Sequence, residues 1–209
     1  MEINENLIGE VFSHKDKVRR ETVSNNPLIG QINGMYANAL SLGGILHIQV
    51  TKNVFDDKLV LTGTQGDVMQ ESMKCAKNTA YNLLYKYNDE EEKQTSGLHI
   101  HVPSTSTPKD GPSAGGAIAL AIYSYLSQKP LNQNISMTGE IDMLGNILPI
   151  GGVEAKLNGA KKAGIEIAII PESNMEQLER LRNKGKSPED DTFKVVMVDH
   201  VNDAFDYFF

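Results

Sequence analysis

Apolar and polar residues alternate most clearly in "GGILHIQVT" (43–51), where Leu46, Ile48 and Val50 stand against His47 and Gln49. A period of two predicts a strand. "DKLVLTG" (57–63) follows at a distance suited to the second arm of a hairpin. Between residues 67 and 87 the period lengthens: Met69, Met73, Ala76, Ala80, Leu83, Leu84 and Tyr87 fall on one stripe, which predicts an amphipathic helix. "YNDEEEKQTSG" (87–97) reads as a solvated loop, and "LHIHVP" (98–103) as another strand, with His99 and His101 on one face.

Residues 113–126, "SAGGAIALAIYSYL", are small or apolar on nearly every side and predict a buried helix. Then come a strand "NISMTG" (134–139), a turn "IDMLGN" (141–146) and a strand "ILPIGG" (147–152). A helix from Val153 to Ala163 is closed by Gly164, a residue suited to the left-handed conformation past a helix end. "IEIAIIP" (165–171) predicts a buried strand, and "SNMEQLERLRN" (173–183) a helix capped by Ser173. A loop "GKSPEDDT" (185–192), a strand "KVVMV" (194–198) and a short helix "VNDAFDYF" (201–208) complete the chain. Helices interleave with strands, but the hairpins exclude an all-parallel sheet, so the expected class is α+β or mixed α/β, with mixed sheets and packed helices. Residues 1–26 are polar and irregular and read as a linker or the remnant of something upstream; 27–209 form the domain.

Composition narrows the function classes. The 209 residues are 40% hydrophobic and 22% charged, ordinary for a folded chain with a real core. A net charge of -7 argues against nucleic acid or an anionic membrane as the main partner. No apolar run approaches the roughly 20 residues of a membrane helix, and the N-terminus lacks the order of a secretory signal. Cys75 is the single cysteine, which excludes an internal disulfide and points to a reducing intracellular compartment, cytoplasm or organelle matrix, rather than secretion. On its predicted helix it reads as a packing thiol.

Candidate chemistry starts at "GPSAG" (111–115), which fits the G-x-S-x-G pattern of a serine nucleophile on a strand-to-helix elbow. An elbow needs a strand running directly into the serine, whereas "PSTSTPKDGP" (103–112) intervenes with three prolines. Ser113 remains either a nucleophile whose backbone N–H stabilises an oxyanion at a helix start or an ordinary N-cap. A nucleophile needs a base. Asp199 and His200 offer one arrangement. Lys156 offers another: at about 100° per residue from Val153, it falls at roughly -60°, inside the apolar stripe of Leu157, Ala160 and Ala163. Lys162 falls on the opposite side and Lys161 at the edge. Burial lowers a lysine's pKa and frees a neutral amine for general-base work, although a stem laid over apolar surface gives the same periodicity. His99 and His101 lack a nearby acidic or cysteine partner and read as a polar strand face, so no metal is expected. Gly185-Lys186-Ser187 imitates the end of a phosphate loop, but Arg180 stands where the first glycine belongs.

Together, "GTQGDVMQESMKCA" (63–76), "HIHVPSTSTPKDGPSAG" (99–115), "MTGEIDMLGNILPIGGVEAKLNGAKKAGI" (137–165) and "IIPESN" (169–174) resemble the proteolytic domain of the Lon family of ATP-dependent serine proteases. The resemblance implies the compact Lon-type α+β fold. It implies Ser113 as nucleophile, Lys156 as general base, Thr138 as the hydroxyl that helps place the lysine amine, and the Ser113 backbone N–H as oxyanion donor. Asp110 matches an acidic residue that in family members can engage the lysine in inactive arrangements. It further implies a homo-hexameric ring, unfolded or damaged proteins as substrates, and an ATPase module upstream, to which ATP and magnesium belong; this chain itself carries no cofactor. "INENL" (3–7) resembles the end of that module, which favours an excised domain. Where relatives commonly have Leu-Ala-Trp-Thr in the first strand, this chain has Met35-Tyr36-Ala37-Asn38. Two rivals stay open: a hydrolase using Ser113 with Asp199 and His200, and a catalytically silent Lon-like oligomerisation scaffold.

Overall fold

A computed structural model of the chain describes residues 21–85, 97–104 and 109–209. Residues 1–20 of the expected linker, Tyr87, the acidic loop through residue 96, and 105–108 of the loop before Ser113 lie outside them. Nine strands are described: β1 (Gln31–Ala37), β2 (Gly43–Lys52), β3 (Val60–Thr62), β4 (Leu98–His101), β5 (Ile135–Met137), β6 (Glu140–Ile141), β7 (Ile147–Leu148), β8 (Ile167–Pro171) and β9 (Lys194–Val198). The helices are α1 (Asp67–Leu84), α2 (Gly115–Ser127), α3 (Val153–Ala163), α4 (Met175–Asn183) and α5 (Phe205–Phe208).

Seven strands form one mixed sheet in the order β3-β4-β2-β1-β5-β8-β9, and β6 and β7 form a small separate hairpin. The β1–β2 and β2–β4 pairs are antiparallel; β3–β4, β1–β5, β5–β8 and β8–β9 are parallel. The class is α+β, one of the two that the alternation of patterns allows and the one that the family resemblance implies.

Successive side chains of a strand point to opposite faces, and β8 shows where they go. Ile169 joins a core built with α1 and α2; Ala168 and Ile170 join a second core with α3 and α4. β5 divides likewise: Ile135 and Met137 enter the α1–α2 core. Ser136 and Thr138 therefore turn toward α3. The stripe of α1 predicted from sequence is the buried one, with Met69, Met73, Ala76 and Ala80 inside, and α2 is buried on most sides. Each fully buried Ile or Leu contributes about 1.5–3 kcal/mol.

Four expectations need correction. β3 is not the second arm of a hairpin with β2: β4 lies between them, a non-local insertion that spacing does not reveal. The buried helix starts at Gly115 with Ala114 as its N-cap, so Ser113 stands just outside it and is not a cap. A single 3-10 turn, Glu172–Asn174, contains Ser173, and the cap position of α4 falls to Asn174. The last helix is split into a 3-10 turn, Val201–Ala204, and the one-turn α5.

The acidic loop 185–192 has a physical account. Arg182 on α4 donates Nε and Nη2 to the two Glu189 oxygens, both at 2.8 Å, and Lys161 on α3 donates to the Pro188 carbonyl at 2.6 Å and to the Asp190 carboxylate. The Arg182 guanidinium holds Glu189 below the usual carboxylate range. The loop straps α3 to α4.

Candidate active site

Ser113, Thr138 and Lys156 come from three separate stretches and meet at the end of β5. Ser113 is held by its carbonyl, which accepts Gly139 N–H at 2.7 Å and the Thr138 hydroxyl at 2.9 Å. Gly116, on the first turn of α2, donates back to the Gly139 carbonyl at 3.0 Å. On the other side, Ser72 of α1 donates to the Pro112 carbonyl at 3.2 Å. The serine backbone is fixed from both flanks. Among the described residues, no acceptor takes the Ser113 N–H.

Lys156 reaches the same point from α3. Its backbone N–H donates to Gly152 at 2.9 Å in the helix's first turn. The helix packs closely on β2 at two glycines: a Cβ on Gly43 would lie 1.8 Å from the Ala155 carbonyl oxygen, and one on Gly159 would lie 2.2 Å from the Gly43 carbonyl carbon. The residue is 4% exposed. Lys162 is exposed and Lys161 half-buried, so the helical wheel placed the inward lysine correctly.

The amine Nζ lies 2.8 Å from Ser113 Oγ and 3.0 Å from Thr138 Oγ1. Thr138 gives its own proton to the Ser113 carbonyl, so its oxygen is free to accept one N–H of the amine. A neutral amine has two N–H bonds and one lone pair. With one N–H on Thr138, its lone pair can face the Ser113 hydroxyl. Burial lowers the Lys156 pKa from 10.5 to about 8, which brings the neutral form within reach of ordinary pH. The three groups together can move a proton from Ser113 to Lys156.

Asp110 is engaged elsewhere. Its Oδ1 accepts Met69 N–H at 2.9 Å and Gly111 N–H at 2.8 Å, so it caps the start of α1. Gly66, the α1 N-cap, permits this approach: a Cβ there would lie 2.5 Å from Asp110 Cγ. His200 is also committed away from Ser113, with Nε2 on the Leu144 carbonyl at 3.0 Å and Nδ1 accepting Asn202 N–H at 3.1 Å. His99 and His101 share the Thr62 hydroxyl, at 2.7 and 2.8 Å, across the β3–β4 pair. Sequence reasoning did not single out Gly139 or Ser72, whose roles arise from contacts distant in the chain.

The sequence model of the Lon protease (S16) C-terminal proteolytic domain matches residues 2–209. The chain belongs to the Lon proteolytic-domain family. Among its relatives, a Lon protease homolog of Acanthamoeba polyphaga mimivirus is 39% identical over 199 residues, covering 91% of this chain and 19% of that protein. A Lon protease of Clostridioides difficile is 36% identical over 200 residues, covering 94% of this chain and 24% of its own length. Lon protease 2 of Thermus thermophilus is 41% identical over 155 residues, covering 74% of this chain and 19% of its own length. The chain thus spans only about a fifth to a quarter of the Lon proteins it matches. Among its described residues, no helix is long and apolar enough to cross a membrane.

Proposed function

We propose that this chain is a serine endopeptidase domain in which Ser113 and Lys156 form a catalytic dyad. The observation that carries the reading is the 2.8 Å approach of a buried amine to the Ser113 hydroxyl, with the amine's pKa lowered to about 8. Neutral Lys156 takes the Ser113 proton as Oγ attacks a peptide carbonyl. The negative charge on the former carbonyl oxygen falls to the unengaged Ser113 N–H, close to the start of α2, whose dipole favours it. As the C–N bond breaks, the Lys156 ammonium returns its proton to the leaving amine, and Ser113 is left as an ester. Water then attacks the ester, giving a proton to Lys156 that passes back to Ser113 Oγ as the acid product leaves. Thr138 orients the amine throughout. Asp110 contributes by fixing the loop before Ser113 on α1.

By family membership, we assign unfolded or damaged polypeptides as substrates, and a ring of six copies joined to an ATPase module that binds ATP and magnesium. The test is mass spectrometry after treatment with a peptidyl boronate or fluorophosphonate, with Ser113→Ala, Lys156→Ala and His200→Ala as comparisons. We expect a single adduct on Ser113 in the wild type and in His200→Ala, and none in the other two. Labelling that survives Lys156→Ala removes the dyad. A Ser113 inert to both reagents leaves the chain as a scaffold.

A further inference from the structure

"IIPESN" (169–174) ends in a residue that the chemistry above leaves unused. Asn174 is the N-cap of α4, where an asparagine side chain ordinarily accepts an N–H of its own helix, a bond of about 0.5–2 kcal/mol. It makes no such bond. Its amide turns instead to the loop before α3. Oδ1 accepts Ile150 N–H at 3.0 Å and Nδ2 donates to the Ile150 carbonyl at 2.9 Å, satisfying both backbone groups of one loop residue. The other amide hydrogen goes to Gln177 Oε1 at 3.1 Å. The residue is 1% exposed.

Ile150 stands two residues before Gly152, the N-cap of α3, and the Gly152 carbonyl is the group that accepts the Lys156 N–H. A short line of fixed points therefore runs from Asn174 through Ile150 and Gly152 to Lys156. The second partner of the amine is referred to the same strand: Thr138 N–H donates to the Ile169 carbonyl of β8 at 3.0 Å. β8 and the turn that follows it thus register both the lysine and the threonine that meets it.

We propose that Asn174 is a positioning residue for Lys156, whose buried amide clamps Ile150 and so sets where the first turn of α3 delivers the amine to Ser113. The proposal rests on the Ser113–Lys156 reading. It accounts for an asparagine at a helix start whose side chain makes no cap hydrogen bond to that helix.

The test follows Ser113 labelling by a fluorophosphonate in the 209-residue chain, for wild type, Asn174→Ala, Asn174→Asp and Lys156→Ala, between pH 6 and 10. A displacement of about 1 Å at a reacting pair can cost on the order of a hundredfold. Asn174→Ala is therefore expected to label about ten to a hundred times more slowly at saturating reagent, with the reagent's half-saturation unchanged. Its pH midpoint should move up, because a loosened amine is less buried. A merely structural loss would lower the amount of folded protein and leave that midpoint in place. Asn174→Asp adds a readout independent of labelling. A protonated carboxyl has one donor and one acceptor and can reproduce the clamp, whereas a carboxylate cannot donate to the Ile150 carbonyl. Its urea midpoint should approach that of wild type near pH 5 and fall as pH rises. Wild-type rate and pH midpoint in Asn174→Ala, or an Asn174→Asp stability deficit that does not vary with pH, overturns the proposal. Equal labelling of wild type and Lys156→Ala overturns the dyad instead.

Discussion

Lys156 is kept out of water at a cost to folding. A shift from 10.5 to about 8 corresponds to roughly 3 kcal/mol of disfavoured charging in the folded state. Below pH 8 that cost is fully present. Between pH 8 and 10.5 the unfolded chain still binds the proton that the folded chain has released, so stability rises with pH across this window. Lys156→Met, of similar volume and with no charge, should therefore be more stable than wild type at pH 7, by about 1–3 kcal/mol, and unable to acylate Ser113. Denaturant unfolding at pH 7, 8.5 and 10 checks this: the advantage of the variant should shrink as pH rises, and a constant difference would exclude a burial cost. Under the proposed Ser113–Lys156 chemistry, the same titration governs rate. Only the neutral amine accepts a proton, so wild-type acylation should climb with pH to a plateau with a midpoint near 8. A second residue-scale prediction concerns Ser136, whose Oγ is buried without a hydrogen-bond partner among the described residues. An unsatisfied buried hydroxyl costs about 1–3 kcal/mol. Ser136→Ala should raise the urea midpoint without altering its slope or the rate of Ser113 labelling; a lowered midpoint would mean that the hydroxyl has a partner.

At the scale of elements, the site was legible wherever a periodic pattern carried it and hidden wherever a non-local contact did. The apolar stripe of α3 was enough to turn Lys156 inward and Lys162 outward, and Gly164, at φ 94°, ends that helix as expected. The same reasoning could not see that β4 separates β2 from β3, because pairing order has no local signature. Thr138 entered only through family resemblance: its relation to Lys156 spans 18 residues and a change of element. The position of Asp110 on α1 and of Asn174 on Ile150 was invisible for the same reason. Serine's preference for helix caps makes Ser113 a cap candidate, whereas its carbonyl, held by Gly139 and Thr138, is what fixes it. The close approach of α3 to β2 yields a prediction that runs against helix propensity. Alanine is better than glycine inside a helix by about 1 kcal/mol. Gly159→Ala should nevertheless destabilise the protein and slow Ser113 labelling at least about tenfold, because its methyl would overlap the Gly43 backbone and push Lys156 away. Lys162→Ala, on the exposed side of the same helix, should change neither quantity. Unchanged labelling in Gly159→Ala would show that the glycine contact does not set the lysine.

The whole molecule places the site on a seam. Ser113 leads into α2, which belongs to one core; Lys156 lies on α3, which belongs to the other; Thr138, at the end of β5, joins them. Neither layer holds the Ser113–Lys156 pair alone. The central sheet is shared: β8 feeds Ile169 to one core and Ala168 and Ile170 to the other, and β1 divides Ile32 and Met35 in the same way. Separating the cores would therefore require breaking strands in the middle of a seven-stranded sheet, not merely peeling a helix from its surface. Small domains with this kind of mutual support unfold in one cooperative step, while larger chains often do not. Loss of the α3–α4 layer first would remove Lys156 and abolish Ser113 labelling while α1, α2 and much of the sheet persisted. The shared strands argue for the opposite outcome. In a urea titration, the fraction of chains whose Ser113 reacts with a fluorophosphonate in a short pulse should fall with the same midpoint as the far-ultraviolet circular dichroism signal. A labelling midpoint clearly below the dichroism midpoint would show that the lysine layer opens on its own, and that the seam, rather than the sheet, is the weakest boundary in the fold.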